Sequence, residues 1–224
     1  MSVSMTQDTR NLESRKRFLA MSNGKIDAVY IKRNLPRISQ GDIFYELSVI
    51  LLQPSLDGGN EGNILKRTQP YAVVITQDCD LESDFQNRSE ISPTKHDKYL
   101  PAILLCPAYL EGDFKDGTHL ESLKYVMENH PTDRHRRIRT QQLARYHFIE
   151  SDRDSVPNLV IDFKHYISVP REWIYRQYPD KYLISLNDLF RESLSQRFAF
   201  YLSRIGLPTI EKTPTNLNAQ IASP

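Results

Sequence analysis

The chain is poor in cysteine, tryptophan and glycine, and it has no long apolar run. Its two cysteines, Cys79 and Cys106, are too few for the disulfide framework of a small secreted domain. No C-x-x-C pair accompanies Cys79, and two hard carboxylates beside a soft thiol make an awkward joint metal site, so no metal and no cofactor is expected. No glycine-rich phosphate loop follows any β-like run, which excludes a Walker or dinucleotide fold. The 29 Lys and Arg against 28 Asp and Glu exclude a uniformly basic nucleic-acid coat and leave room for a local basic patch. No apolar stretch approaches the roughly 20 residues of a bilayer-spanning helix, and residues 1–18 lack the apolar centre of a signal peptide. A cytoplasmic protein without membrane contact is the expectation.

What is present is organised around Tyr71 to Asp80, YAVVITQDCD. Its β-branched first half suits a pleated core strand, and its polar exit places Asp78, Cys79 and Asp80 at a strand end, where scaffolds carry function. Before it, a short helix is expected around Asn11–Met21, a strand over Ile26–Ile31, a long strand from Ile43 to Leu52, and a flexible loop from Pro54 to Asn63. After it, Leu81–Lys98 reads as irregular, Tyr99–Cys106 as a strand, and Gly112–Thr118 as a loop. Leu120, Leu123, Val126 and Met127 have helical spacing, and Pro131–Arg145 forms a basic segment. Tyr146–Ile149 and Leu159–Phe163 read as strands, with Tyr166–Val169 extending the second. The clearest helix runs from Leu186 to Ile205, capped by Ser185 or Asn187 and ended by Gly206. The polar tail beyond Leu207 has little to bury. Strands followed by a segregated helix predict a mainly β fold with α: a small barrel, decorated by long insertions and closed by a C-terminal amphipathic helix. The predicted organisation is an N-terminal extension over 1–40, a barrel domain over 41–207 and a tail over 208–224.

One order of motifs is familiar. Gly41-Asp42-Ile43 opens a strand. A Gly/Glu-rich loop then leads through a basic residue and Pro70 into Ala72-Val73-Val74-Ile75. Cys106-Pro107 ends a third strand, and Leu159–Ile167 runs on toward Trp173 and the last helix. This resembles the MazF/PemK-like toxin family, whose fold is an SH3-like barrel with a C-terminal helix. The resemblance implies RNA as ligand, cleavage without metal, and a homodimer formed through the barrel face and terminal helix. It places Arg67 (or Lys66) where the family's catalytic arginine lies. The family's Ser/Thr position falls near Ala108-Tyr109, where neither residue stands. The resemblance therefore implies a non-catalytic relative that binds a protein partner or nucleic acid in a toxin–antitoxin or phage-defence setting, with a metal-independent endoribonuclease as the alternative.

At Asp78-Cys79-Asp80, negative neighbours oppose an anionic sulfur, so a turn-capping aspartate and a core cysteine compete with a grip on a partner's basic group. Arg134, His135, Arg136, Arg137, Arg139 and Arg145, with Tyr146 and His147 adjacent, read as a phosphate-binding patch, or as a solvated helix or loop paired with Glu128, Asp133 or Glu150. Asp162 and Lys164, two apart, would share one strand face in a metal-dependent nuclease or in a plain half-buried strand. Trp173 is expected beneath the terminal helix, with its indole N–H on a carbonyl.

Overall fold

A computed structural model describes residues 28–54, 62–88, 96–152 and 155–204. The expected helix at Asn11–Met21, most of the Pro54–Asn63 loop, Gly206 and the tail lie outside these. The strands are β1 (Tyr30–Ile31), β2 (Asp42–Pro54), β3 (Gly62–Val74), β4 (Ala102–Leu110), β5 (Tyr146–Ile149), β6 (Leu159–Asp162), β7 (Ile167–Pro170) and β8 (Tyr182–Leu186). The α-helices among the described residues are α1 (Asp78–Arg88), α2 (Glu111–Asp116), α3 (Thr132–Arg139), α4 (Arg171–Lys181) and α5 (Asp188–Leu202).

All strand pairings are antiparallel, in the order β1-β8-β2-β3-β4-β6-β5, with β7 beside the first half of β4. Tyr71–Val74 is central, as its sequence demands: Val73 faces Ile43 on one side and Cys106 on the other. The sheet curls into a half-barrel. Its two edges come into contact where the Tyr30 hydroxyl donates to the Glu150 carbonyl, one residue beyond β5.

Period-two alternation gives the sheet two buried faces. Ile43, Val73, Cys106, Ala108 and Ile161 point into the curl, where Leu194 and Phe198 of α5 fill it. Burying each such side chain contributes about 1.5–3 kcal/mol. Arg197 fixes α5 by donating to the carbonyls of Gln141 (2.8 Å), Leu143 (3.1 Å) and Tyr146 (2.8 Å). On the outer face Phe44, Leu47, Val74 and Leu105 pack against Leu81 of α1 and Ile174 and Tyr178 of α4. Further along that face Tyr109, Tyr146 and Val160 meet Phe114 of α2 and Ile138 of α3.

Several expectations need correction. Asp78–Arg88 is helical, not irregular: acidic residues in its first turn and Arg88 in its last suit the helix dipole, and its buried residues are Leu81 and Asp84. Glu111–Asp116 is helical and closes at Gly117 in the left-handed region (φ 75°), while residues 119–128 are not an α-helix. A 3-10 turn at Glu121–Leu123 ends at left-handed Lys124, and Val126 is fully exposed. Leu186 belongs to β8, and α5 starts after Asn187, whose side chain accepts from the Asp188 N–H. Trp173 does donate to a carbonyl, that of Ser48 at 2.7 Å, but it lies against β2 from α4 rather than beneath α5. The residues counted with the N-terminal extension include β1, which pairs with β8, and Ile38, which is buried.

Candidate functional site

A cavity of about 250 Å³ opens where the β6 end, α2 and the 119–130 segment meet. Two of its lining side chains, Asp162 and Lys164, come from one short stretch of strand and turn. β6 ends at Asp162, and the chain makes a 3-10 turn over Phe163–His165, with the Asp162 carboxylate accepting from the Lys164 N–H. Asp162 is therefore buried while Lys164 is exposed, so the two do not share a strand face as the sequence spacing suggested. Arg145, just ahead of β5, holds Asp162 in a fork: Nε to Oδ1 at 2.8 Å and Nη2 to Oδ2 at 2.5 Å. His165 lies with Nε2 3.7 Å from the same carboxylate and Nδ1 2.9 Å from the Tyr109 hydroxyl. Burial pushes the Tyr109 phenol well up, so it stays protonated.

Two imidazoles line the cavity. His119 and His130 both pack on the Phe114 ring, with centroids 4.7 and 4.9 Å away, and His119 also rests on Tyr109 at 4.7 Å. Both ring nitrogens of His119 and Nδ1 of His130 are buried without a hydrogen bond among the described residues. Burial lowers the proton affinity of His119, His130 and His165 alike. All three are thereby biased toward neutral imidazole.

The sequence-derived residues separate into two groups. Arg67 projects from β3 close enough for its charge to act on Tyr109 and His165. Arg134 reaches the rim, bonding Glu128 of the cavity wall at 2.8 Å. The other arginines of α3 stay on its surface. Arg136 pairs with Asp133 at 2.7 Å and Arg139 with Glu111 at 3.4 Å, and Arg137 is exposed. The solvated-face reading therefore holds for most of that helix.

Asp78, Cys79 and Asp80 lie elsewhere, at the start of α1. Arg37 forks onto Asp78, with both nitrogens at 3.1 Å, and the Gln40 N–H and Arg191 complete the grip, so Asp78 is a structural staple. Cys79 is an exposed free thiol, not a core residue, and Asp80 is exposed beside it. No group of three His, Cys, Asp or Glu side chains that could hold a metal ion occurs among the described residues. No helix among them is long and apolar enough to cross a membrane.

Sequence reasoning marked Arg145 only as part of the basic patch, and missed His119, His130 and Tyr109. One compositional signal was there: five of the six histidines fall between residues 119 and 165. No family model matches the chain, and no curated protein matches it.

Proposed function

We propose that this chain is a divergent MazF/PemK-like protein on an SH3-like barrel and that it binds single-stranded RNA in the cavity lined by Arg145 and Lys164, with Arg134 and Arg67 assisting from beside it. Support for the fold reading is the order of the motif strands. Those opened by Asp42-Ile43, carrying Ala72–Val74, holding Cys106-Pro107 and ending at Asp162 are β2, β3, β4 and β6, side by side in that order. The terminal helix fills their curl.

The observation that carries the RNA reading is the charge around the cavity. Arg145 and Lys164 line it beside the carboxylates of Asp162 and Glu128, Arg134 bonds Glu128, and the charge of Arg67 acts on nearby His165, while the imidazoles of His119 and His130 keep unspent nitrogens. Guanidinium and ammonium groups so placed favour a phosphodiester. Two exposed aromatics, Tyr125 at 60% and Tyr166 at 46% exposure, are next in sequence to the cavity's Val126 and to His165. Cations with stacking rings are the pairing that single-stranded nucleic acid needs.

The test is a fluorescence-anisotropy titration of a randomised single-stranded RNA. Saturable binding is expected, weakened about tenfold or more by combining Lys164→Ala with Arg134→Ala. Absence of saturable binding, with a protein co-purifying instead, would overturn the RNA reading in favour of partner binding.

A further inference from the structure

A second cavity, of about 290 Å³, lies along the outer edge of β5, where the two edges of the curled sheet approach each other. No residue lines both it and the cavity described above. We infer that this second cavity is a binding site for a small uncharged aromatic alcohol of two fused rings.

His147 of β5 singles the cavity out. It lines the cavity and is only 7% exposed, yet its Nδ1 has no hydrogen-bond partner among the described residues. A buried structural histidine ordinarily satisfies its polar ring atoms, because an unmet buried group is unfavourable. Its neighbours hold the ring without meeting that nitrogen. The Phe163 ring lies 6.1 Å away between centroids, and the guanidinium of Arg197 is taken up by three backbone carbonyls. The Gln141 amide is likewise engaged: it donates to the Phe148 carbonyl at 2.7 Å and accepts from the Phe148 N–H at 3.2 Å.

The walls define the ligand. Burial, with the Arg197 charge adding to it, pushes the His147 imidazole down to about 3, so the ring is neutral near pH 7. A neutral imidazole nitrogen accepts in one tautomer and donates in the other. A hydroxyl does both, so it meets either tautomer. Charge on the ligand gains little, because Arg139 and Glu150 line the cavity with one charge of each sign. Arg139 is also already paired with Glu111 at 3.4 Å and placed over the Phe148 ring at 5.1 Å.

The remaining contacts are largely apolar. Val29, just ahead of β1, and Leu186, at the end of β8, come from one side of the seam, Ile149 of β5 from the other, and Phe190 from α5. Phe148 and Phe190 supply rings on which a flat aromatic body packs by face or edge. An apolar cavity of roughly 150 Å³ takes one benzene ring. The volume here therefore suits two fused rings, at the small end of ligand pockets.

The test titrates 2-naphthol into the full-length protein by calorimetry and follows the imidazole nitrogen resonances by NMR at pH 7. One-site binding with a Kd of about 0.1 mM or tighter is expected. The His147 signal should move in step with saturation, while those of His119 and His130 stay in place. His147→Leu keeps the wall apolar and removes the hydrogen bond, so it should weaken binding about tenfold. Ser193→Trp, at an exposed position of α5 that lines the cavity, should abolish binding by filling it. 2-Naphthoate, which carries a carboxylate in place of the hydroxyl, should bind about tenfold more weakly than 2-naphthol. No saturable binding of 2-naphthol up to about 1 mM overturns the inference. So does parental affinity in both variants, or 2-naphthoate binding as tightly as the alcohol. Should His147→Leu fail to fold, Ser193→Trp and the 2-naphthoate comparison decide.

Discussion

Arg145 and Asp162 meet in a two-point fork that anchors the floor of the cavity. Asp162 is 1% exposed and Arg145 31% exposed, so the carboxylate depends on this one guanidinium far more than the guanidinium depends on it. Arg145→Ala should destabilise the protein by about 3–5 kcal/mol, because a buried carboxylate is left unpaired. Arg145→Met combined with Asp162→Leu should cost less than the sum of the single changes. Urea unfolding of the four proteins measures the coupling, and simple additivity would show that the fork is not what holds Asp162 in place.

Asp78 should matter to stability and its neighbours should not. It accepts from Arg37 twice and from the Gln40 N–H, whereas Cys79 and Asp80 are exposed. Asp78→Ala is expected to cost about 1.5–3 kcal/mol. Cys79→Ser and Asp80→Ala should stay within about 0.5 kcal/mol of the parent. Thermal melts of the three variants settle the ranking, and a large loss from Cys79→Ser would restore a specific role for that thiol.

Much of the sheet was legible because its signal is local. Tyr71–Ile75 and the Leu194/Phe198 face of the terminal helix announce themselves through β-branching and periodicity. α1 and α4 escaped because part of what they bury is charged: Asp84 and Arg171 are both buried and are bonded to each other. An apolar-period reading counts such residues as exposed, and Pro179 inside α4 hides that helix further. The site was less legible still. Arg67 and Arg134 were marked by resemblance and by charge clustering. His119, His130 and His165 come from a segment after α2, the lead-in to α3 and the turn after β6, so no spacing motif joins them.

Asp42 gives the protein a pH signature. Its carboxyl is buried, accepts from the Ser39 N–H at 2.8 Å and the Ser185 hydroxyl at 2.5 Å, and is pushed up to about 6, chiefly by desolvation. A raised carboxyl favours folding while both states are protonated. That contribution is therefore full below about pH 4 and is lost as the pH climbs through about 6, a change of about 3 kcal/mol. Asp42→Asn should remove this component from the stability profile. Chemical unfolding between pH 4 and 7 checks it, and an identical slope in parent and variant would contradict it.

Gly117 ties the backbone to the site. It sits at φ 75°, and an added Cβ would come 2.7 Å from the Met127 carbonyl oxygen. Gly117→Ala should cost about 1 kcal/mol or more and displace the segment carrying His119 and His130, so RNA affinity should fall along with stability. Measuring both on one preparation tests the link, and full stability with unchanged binding would break it.

The central claim is that Lys164 and its cationic neighbours hold RNA phosphates in the cavity, and the most direct measurement is the salt dependence of single-stranded RNA binding. The slope of log K against log salt should shrink by about 0.7 on Lys164→Ala, the loss of one phosphate contact. The surface-facing Arg137→Ala should leave it unchanged. An unaltered slope in Lys164→Ala, or a reduced slope only in Arg137→Ala, would contradict the account.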